Sequence, residues 1–307
     1  MFPLHGDVEK MINHRANRAF SYLKLLRVLT VASIGLYVLP AVAEENPLWT
    51  YHQQRLDQAR ADVAAKVDLD KAWALQNEAA ELDSLDKPGE ALDVINRALK
   101  LVAADRSHDL IATKAGILFH LNDPQGALAV LTPQLTEMRR LEAIQPGILG
   151  IYTEGFTTAT FSHIQLEQWR EAIETLADAQ APLEGPSFYA YRSVVYRYIM
   201  GRAHDPALAN PKLEQDAAYY AKNDKSHYGA LLRLWQGEDT HQEIDSLIGR
   251  MSGQEKQEAM SEALFYSAAY DKFVKGDVAS ARTKLDRLNS LAPYGSIEWI
   301  YGKRVLQ

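Results

Sequence analysis

The sequence contains no cysteine. Disulfide bonds, catalysis by a thiolate and zinc sites with cysteine ligands are therefore excluded, as is attachment of a lipid to a cysteine. Proline and glycine lie mostly between predicted helices, and no low-complexity tract is present. With 47% hydrophobic residues in a chain of 307, the protein can bury a large core. Its stability must come from packing alone.

Several enzyme motifs are also missing. The chain has no Gly-x-Ser-x-Gly and no His-Glu-x-x-His, and no two of its nine histidines stand four residues apart as in a helical zinc site. Ser84 and Lys87 match Ser-x-x-Lys, but Pro88 and Gly89 follow, so this serine ends a helix instead of beginning one. We therefore expect a protein that is not an enzyme and that has no cofactor and no metal.

Residues 1–43 have the three parts of an export signal. A basic region comes first and contains Arg15, Arg18, Lys24 and Arg27. An uncharged, mostly apolar run over residues 28–39 follows, and residues 41–43 then give the small-x-small pattern that signal peptidase accepts. We expect cleavage after Ala43 and a periplasmic or secreted mature protein.

Two alternatives concern this segment. Translation from Met11 instead of Met1 would give a basic region of more usual length. The alternative to cleavage is a retained membrane anchor, although the apolar run is short for a span, which needs about 20 residues. After cleavage we expect no stable membrane insertion.

The charge balance is acidic, with a net charge of −7. Removal of residues 1–43 takes away five basic and two acidic residues, which makes the mature chain more acidic still. An acidic chain has no general affinity for nucleic acid or for an anionic membrane surface. Nucleic acid is therefore not an expected partner.

A helical pattern returns along the chain at nearly constant spacing. Each copy has a turn, a helix start with a small residue near it, and a large apolar residue four positions later. Four copies are clear and two more fill the longest gap, which gives the series Ala91, Ala127, Ala172, Ala207, Ile244 and Ala281. The spacings are 36, 45, 35, 37 and 37 residues. A period in the thirties is typical of stacked helix pairs, in which each pair buries its apolar stripe against its neighbours.

This pattern resembles the tetratricopeptide repeat family. In that family a small residue opens the second helix of each pair, another lies twelve positions earlier, and a proline often lies twelve positions later. The final repeat has five residues in this register: Ala269, Gly276, Ala281, Leu285 and Pro293. The resemblance covers about residues 72–294. It implies an all-α fold, a right-handed α-solenoid of about six helix pairs.

The remaining residues extend this array at both ends. Residues 44–71 are predicted as an N-terminal segment with a helix over residues 47–69, ahead of a repeat domain over residues 72–307. Residues 296–306 are predicted as a C-terminal helix that caps the array.

Three features depart from a regular repeat. Pro133 lies inside a second helix and predicts a kink. The longest spacing includes an insertion over residues 138–150, with a turn at Pro146-Gly147. In the fourth repeat, Pro211 is expected to interrupt the second helix early.

A second resemblance covers residues 235–281. The stretch from Glu262 to Tyr266, with Tyr270, Gly276 and Ala281 after it, is similar to the C-terminal half of NlpI-type bacterial envelope lipoproteins. Proteins of that type are adaptors for envelope proteases and peptidoglycan enzymes. The present chain lacks the cysteine that carries their lipid.

In the tetratricopeptide family, certain positions of each first helix face a concave groove that binds the partner. Counting from the small residue of each second helix gives the candidate partner-binding residues Trp73, Gln76, Asp83, Phe119, His120, Phe161, Tyr189, Arg192, Tyr196, Arg233, Tyr266 and Tyr270. Tyrosine and arginine are frequent anchors of interfaces. The alternative for the aromatic members is packing between helices.

These resemblances imply a non-enzymatic scaffold or adaptor of the bacterial cell envelope. Its partner would be a protein or peptide, such as an envelope protease or a peptidoglycan enzyme, held in the concave groove. The alternative is an inhibitor or immunity-type protein that blocks one envelope-acting enzyme. A third class, an envelope hydrolase, has no supporting motif.

Overall fold

The chain is helical throughout the part described by the computed structural model, which is residues 47–103, 107–181, 185–291 and 295–307. Fourteen α-helices and no strand occur in these ranges. The predicted all-α class is confirmed. The predicted signal segment 1–43 and Pro293 lie outside the described residues.

The helices are numbered here in chain order. The first seven are α1 (Pro47–Ala65), α2 (Asp68–Ser84), α3 (Pro88–Leu99), α4 (His108–His120), α5 (Pro124–Glu142), α6 (Thr153–Gln165) and α7 (Trp169–Asp178). The others are α8 (Pro186–Ala203), α9 (Pro211–Asn223), α10 (His227–Trp235), α11 (His241–Gly249), α12 (Gly253–Tyr270), α13 (Val278–Asn289) and α14 (Ile297–Val305). Short 3-10 helices cover Ile148–Ile151 and Pro206–Leu208, and the π-helical turn Asp271–Lys275 extends α12.

Five of the six residues in the periodic series occupy the same position near the start of a helix. Each lies three residues after the first residue of α3, α5, α7, α11 or α13 and is buried: Ala91, Ala127, Ala172, Ile244 and Ala281. The large residues four positions later are also buried: Ile95, Leu131, Leu176, Ile248 and Leu285. A small side chain beside a large one lets the two helices of a pair approach closely. The sequence pattern therefore marks a helix contact in these five pairs.

The turns before α3, α5, α7 and α13 share a left-handed residue at one position. In each, the residue five positions before the small residue has a positive φ, which is 60° at Asp86, 63° at Asn122, 56° at Glu167 and 71° at Gly276. Left-handed backbone is uncommon at residues other than glycine. Its return at one position is a local feature that these four connections share.

The predicted register of the fourth repeat is wrong. Ala207 does not lie in a second helix; it is exposed and belongs to the 3-10 helix Pro206–Leu208. The second helix of this pair is α9, which begins at Pro211, and the Asn210 side chain caps it by accepting hydrogen bonds from two backbone amides. Proline is favoured at the first helical position because no N–H is needed there. Pro211 therefore starts the helix that it was expected to interrupt.

The insertion between the second and third pairs is formed partly by α5 itself. α5 contains Pro133 and continues beyond it to Glu142. The predicted turn follows, and Gly147 adopts a φ of 93° that glycine tolerates. The Glu142 carboxylate accepts hydrogen bonds from the amides of Gly147 and Leu149 at 2.8 and 3.0 Å, which closes the loop.

First helices pack against the first helices of neighbouring pairs. α2 contacts α4, α4 contacts α6, α8 contacts α10, and α10 contacts α12. The predicted helix over residues 47–69 is shorter than expected, since α1 ends at Ala65 and α2 begins at Asp68. α1 packs against α2 and also contacts α12, far along the chain. None of the helices in the described ranges is both long enough and apolar enough to cross a membrane.

The last helix contacts helices from distant parts of the chain. α14 packs against α12 and α13, and also against α4. The Ser296 hydroxyl caps it by accepting a hydrogen bond from the amide of Trp299. Trp299, Ile300 and Tyr301 are all buried. The sequence predicted this helix at the observed residues but did not predict its contact with α4.

Candidate binding surfaces

α14 covers a surface formed by aromatic side chains of α4, α6, α8 and α12, which we call the first-helix face. Its members are Phe119, Phe161, Tyr191, Tyr198 and Tyr266. The ring centroid of Tyr301 in α14 lies 6.1 Å from that of Phe119, 6.0 Å from that of Phe161 and 6.4 Å from that of Tyr198. Tilted and edge-on ring pairs at such distances are favourable. This face therefore already holds one helix, and that helix belongs to the same chain.

A buried carboxylate lies in the same contact. Glu298 of α14 is 3% exposed and accepts hydrogen bonds from the hydroxyls of Tyr191 at 2.8 Å and Tyr266 at 3.1 Å. Burial, together with repulsion from Glu262, raises the pKa of Glu298 to about 7. Burial also raises the pKa of both tyrosines, which keeps their hydroxyls protonated and able to donate.

The C-terminal end of α14 is held by an arginine. Arg304 donates hydrogen bonds to the carbonyl oxygen of His120 at 2.7 Å and to the side chain of Gln165 at 3.0 Å. The His120 imidazole faces the carboxylates of Asp83 and Asp86 at 2.8 and 3.1 Å. These polar contacts connect α14 with the ends of α2, α4 and α6.

Four of the predicted groove residues belong to the surroundings of α14. They are Phe119, His120, Phe161 and Tyr266, and none is more than 8% exposed. A partner could reach these side chains only if α14 left the first-helix face.

Two other predicted groove residues contact α9 and the end of α7 instead. Arg192 donates to the carbonyl oxygen of Ala179 at 2.8 Å and to Asp216 at 2.6 Å, and the Tyr196 hydroxyl donates to Glu214 at 2.8 Å. Both side chains are almost fully buried. Burial and the hydrogen bond to Glu214 raise the pKa of Tyr196 to about 12. These residues connect neighbouring helices in the structure.

Three further predicted groove residues also contact neighbouring side chains. Arg233 donates to both carboxylate oxygens of Glu243 on α11 at 2.6 Å. Tyr189 lies under the Arg192 guanidinium, whose carbon is 4.8 Å from the ring centroid. The Tyr270 ring centroid lies 5.5 Å from that of Trp235 in α10.

The remaining three predicted groove residues lie on α2. Gln76 donates to the Thr113 hydroxyl at 2.8 Å, and so links α2 to α4. Asp83 accepts a hydrogen bond from His120. Trp73 is half-buried against the apolar cluster of the first two pairs. The twelve predicted residues are thus spread over several contacts and do not form one exposed surface.

On α8 the counted positions differ from the side chains that contact α14. Tyr189 and Tyr196 were selected by counting from Ala207, which is not the equivalent position. Tyr191 and Tyr198, each two residues further along, are the side chains that contact α14. Since one residue rotates a helix by about 100°, a slip of two residues selects a different face.

The residues of α14 are absent from the predicted groove set. Glu298 and Tyr301 were placed in a capping helix, although the three residues Trp299, Ile300 and Tyr301 are all large and apolar or aromatic. A helix that is apolar over such a wide arc is usually buried instead of covering an end. That composition was the signal for a central position.

A second surface is a groove between α11, α12 and α13, which we call the outer groove. It has a volume of about 350 Å³. Its apolar lining is Ile244, Ile248, Met260 and Leu264. Its charged lining is basic at Lys256, Lys284 and Arg287 and acidic at Asp245. Lys284 is bound by Asp271, whereas Lys256 and Arg287 have no ion-pair partner among the residues that the structure describes. This groove is therefore apolar and locally positive on an acidic chain.

A third feature is a polar cavity of about 330 Å³ where α1 and the end of α2 meet α12 and the start of α14. Its lining is His52, Ser84, Gln254, Glu258, Glu262, Gly295 and Ser296. In contrast to the outer groove, its ionised lining is acidic.

A comparison of the chain with protein-family models and with curated proteins finds no match. Across residues 47–307, outside the three gaps in the description, no group of three or more histidine, aspartate or glutamate residues is arranged to hold a metal ion.

Proposed function

We propose that the chain is a non-enzymatic protein-binding scaffold or adaptor of the bacterial cell envelope. In this proposal it is exported by residues 1–43, and the helices form an α-solenoid of tetratricopeptide-type pairs. The shared left-handed turn at Asp86, Asn122, Glu167 and Gly276 supports a repeated unit. Contacts between successive first helices support their stacking.

The observation that carries the binding role is the outer groove. α14 covers the first-helix face, whereas the groove between α11, α12 and α13 is open and has an apolar floor. Its free positive charges, Lys256 and Arg287, flank apolar side chains such as Ile248 and Leu264. That combination suits an acidic amphipathic segment of a partner, which would bury its apolar side chains and pair its carboxylates with the rim.

The test is an affinity capture from a bacterial envelope extract with the purified chain. The informative variant is Lys256→Glu with Arg287→Glu, which reverses the charge of the outer groove. Arg282→Glu is the matched control, because Arg282 is exposed on the same α13 but lies outside the groove.

We expect the chain and the control to capture the same proteins, and the double variant to lose them. Several envelope proteases or peptidoglycan enzymes among them would support an adaptor. One stoichiometric partner whose activity falls on binding would instead support the inhibitor or immunity-type role. Equal capture by all three forms would reject the outer groove as the binding site, and capture of nothing by a folded sample would reject the scaffold role.

A further inference from the structure

The polar cavity contains a buried histidine nitrogen that lacks a partner. His52 is 8% exposed and lines the cavity. Its Nδ1 lies 2.7 Å from the Glu81 carboxylate, whereas its Nε2 is buried and has no hydrogen-bond partner among the residues that the structure describes. Leaving a buried polar atom unpaired costs free energy. Such an atom in a cavity wall indicates a position where a ligand atom completes the hydrogen bonding.

The neighbours of His52 define the kind of atom that fits. Because the Glu81 carboxylate can only accept, Nδ1 carries the proton in a neutral ring, and Nε2 is then an acceptor. Arg55 also donates to Glu81, so this carboxylate is compensated without a charged imidazole. An N–H or O–H donor is therefore required opposite Nε2.

Two carboxylates also line the cavity. Glu258 and Glu262 lie one turn apart on α12, so both face the cavity. Glu262 is fixed by hydrogen bonds from His227 Nε2 at 3.0 Å and from the Tyr228 hydroxyl at 3.1 Å. Glu258 is exposed and accepts a hydrogen bond from Gln254 at 2.8 Å. A site with two carboxylates and one neutral acceptor selects a ligand rich in N–H groups and positively charged.

We infer that this cavity binds a compact organic cation, a primary ammonium group whose N–H bonds are accepted by Glu258, Glu262 and His52 Nε2. The volume of about 330 Å³ is at the lower end of the usual range for small-molecule sites. The ammonium group could come from a free amine or from a lysine side chain of a bound peptide. This inference does not depend on the proposed scaffold role.

The experiment is titration calorimetry of the whole chain with three probes. They are 1,4-diaminobutane as the free amine, Nα-acetyl-lysine methylamide as the peptide side chain, and 1,4-butanediol as a neutral molecule of similar shape. We expect at least one amine to bind and the diol to give no binding heat. Tighter binding of the diamine points to a small-molecule source, and tighter binding of the lysine derivative points to a peptide.

Variants then locate the site. Glu258→Gln and Glu262→Gln should each weaken amine binding by about tenfold or more, because a charge-assisted hydrogen bond is lost. Glu255→Gln is the control, since Glu255 is an exposed glutamate of the same helix outside the cavity. Glu258 is exposed, so its variant should fold normally, and a thermal melt checks this. The inference is overturned if the diol binds as well as the amines, if both glutamine variants bind like the control, or if neither amine binds at millimolar concentration.

Discussion

The hydroxyl of Tyr191 donates a hydrogen bond of 2.8 Å to the carboxylate of Glu298, which lies 107 residues later in the chain. This bond joins α8 to α14 inside the protein. Its acceptor is buried and titrates at about pH 7, because burial and the nearby Glu262 disfavour the charged form.

The raised pKa of Glu298 predicts a specific pH dependence of stability. A carboxyl group whose pKa is higher in the folded state than in the unfolded state favours folding when protonated, and this advantage is lost as the pH rises from about 4.5 to about 7. Glu298→Gln keeps an acceptor for both tyrosines and removes the charge. We expect the variant to gain about 2 kcal/mol over the native chain between pH 5 and pH 8. Urea unfolding at both pH values measures this. The prediction is contradicted if the difference in unfolding free energy between the two proteins is the same at pH 5 and pH 8.

The burial of Arg192 predicts that it stabilises the fold. Arg192→Ala leaves a cavity and removes the donor from the Ala179 carbonyl and from Asp216, so we expect a loss of about 2–4 kcal/mol. Lys212→Ala is the control, because Lys212 binds the same Asp216 but is exposed, and it should cost less than about 1 kcal/mol. Chemical denaturation measures both. Equal small losses in the two variants would contradict the stabilising role of Arg192.

The left-handed turn predicts a stabilising substitution. Glu167 has a φ of 56°, which glycine adopts without a Cβ penalty. We expect Glu167→Gly to gain about 0.5–1 kcal/mol, less the small contribution of its exposed ion pair with Arg202. Glu174→Gly, in the middle of α7, should lose about 1 kcal/mol. If both variants melt below the native protein by the same amount, the turn geometry is not as described.

The position of Tyr301 predicts that α14 is essential to the core. Tyr301→Ala removes a ring that contacts Phe119 and Phe161, and we expect a loss of about 3–5 kcal/mol and increased binding of a hydrophobic dye. Tyr219→Ala is the control, because Tyr219 is 59% exposed, and it should cost about 0.5 kcal/mol or less. Unfolding curves and dye fluorescence give both readouts. A native-like Tyr301 variant would mean that α14 contributes little.

The sequence predicted the local features of the fold well, because helix pairs are specified by short-range patterns. Ala91, Ala127 and Ala281 are buried where the period placed them. The pattern failed at Ala207, since α8 runs on to Ala203 and a 3-10 helix then intervenes before α9. A fixed period cannot register an irregular connection of this length.

The candidate sites were predicted less well than the helices, since they depend on contacts between distant residues. No spacing rule connects Phe119 to Tyr301 or His52 to Glu262. The groove positions were counted on the assumption that the first-helix face is open, and α14 covers it. The outer groove and the polar cavity are likewise formed where several helices meet. The sequence of one segment does not predict such a contact.

The central position of α14 bears on the order in which the protein can be assembled during synthesis. Domains usually begin to fold from the N-terminal end as the chain emerges. Here the rings of Phe119 and Phe161 pack against Tyr301, which is translated about 140 to 180 residues later. Until that residue arrives, the nascent chain exposes aromatic surface of the kind that chaperones and proteases recognise. The core around Phe119 and Phe161 is therefore completed only after Tyr301 has been translated.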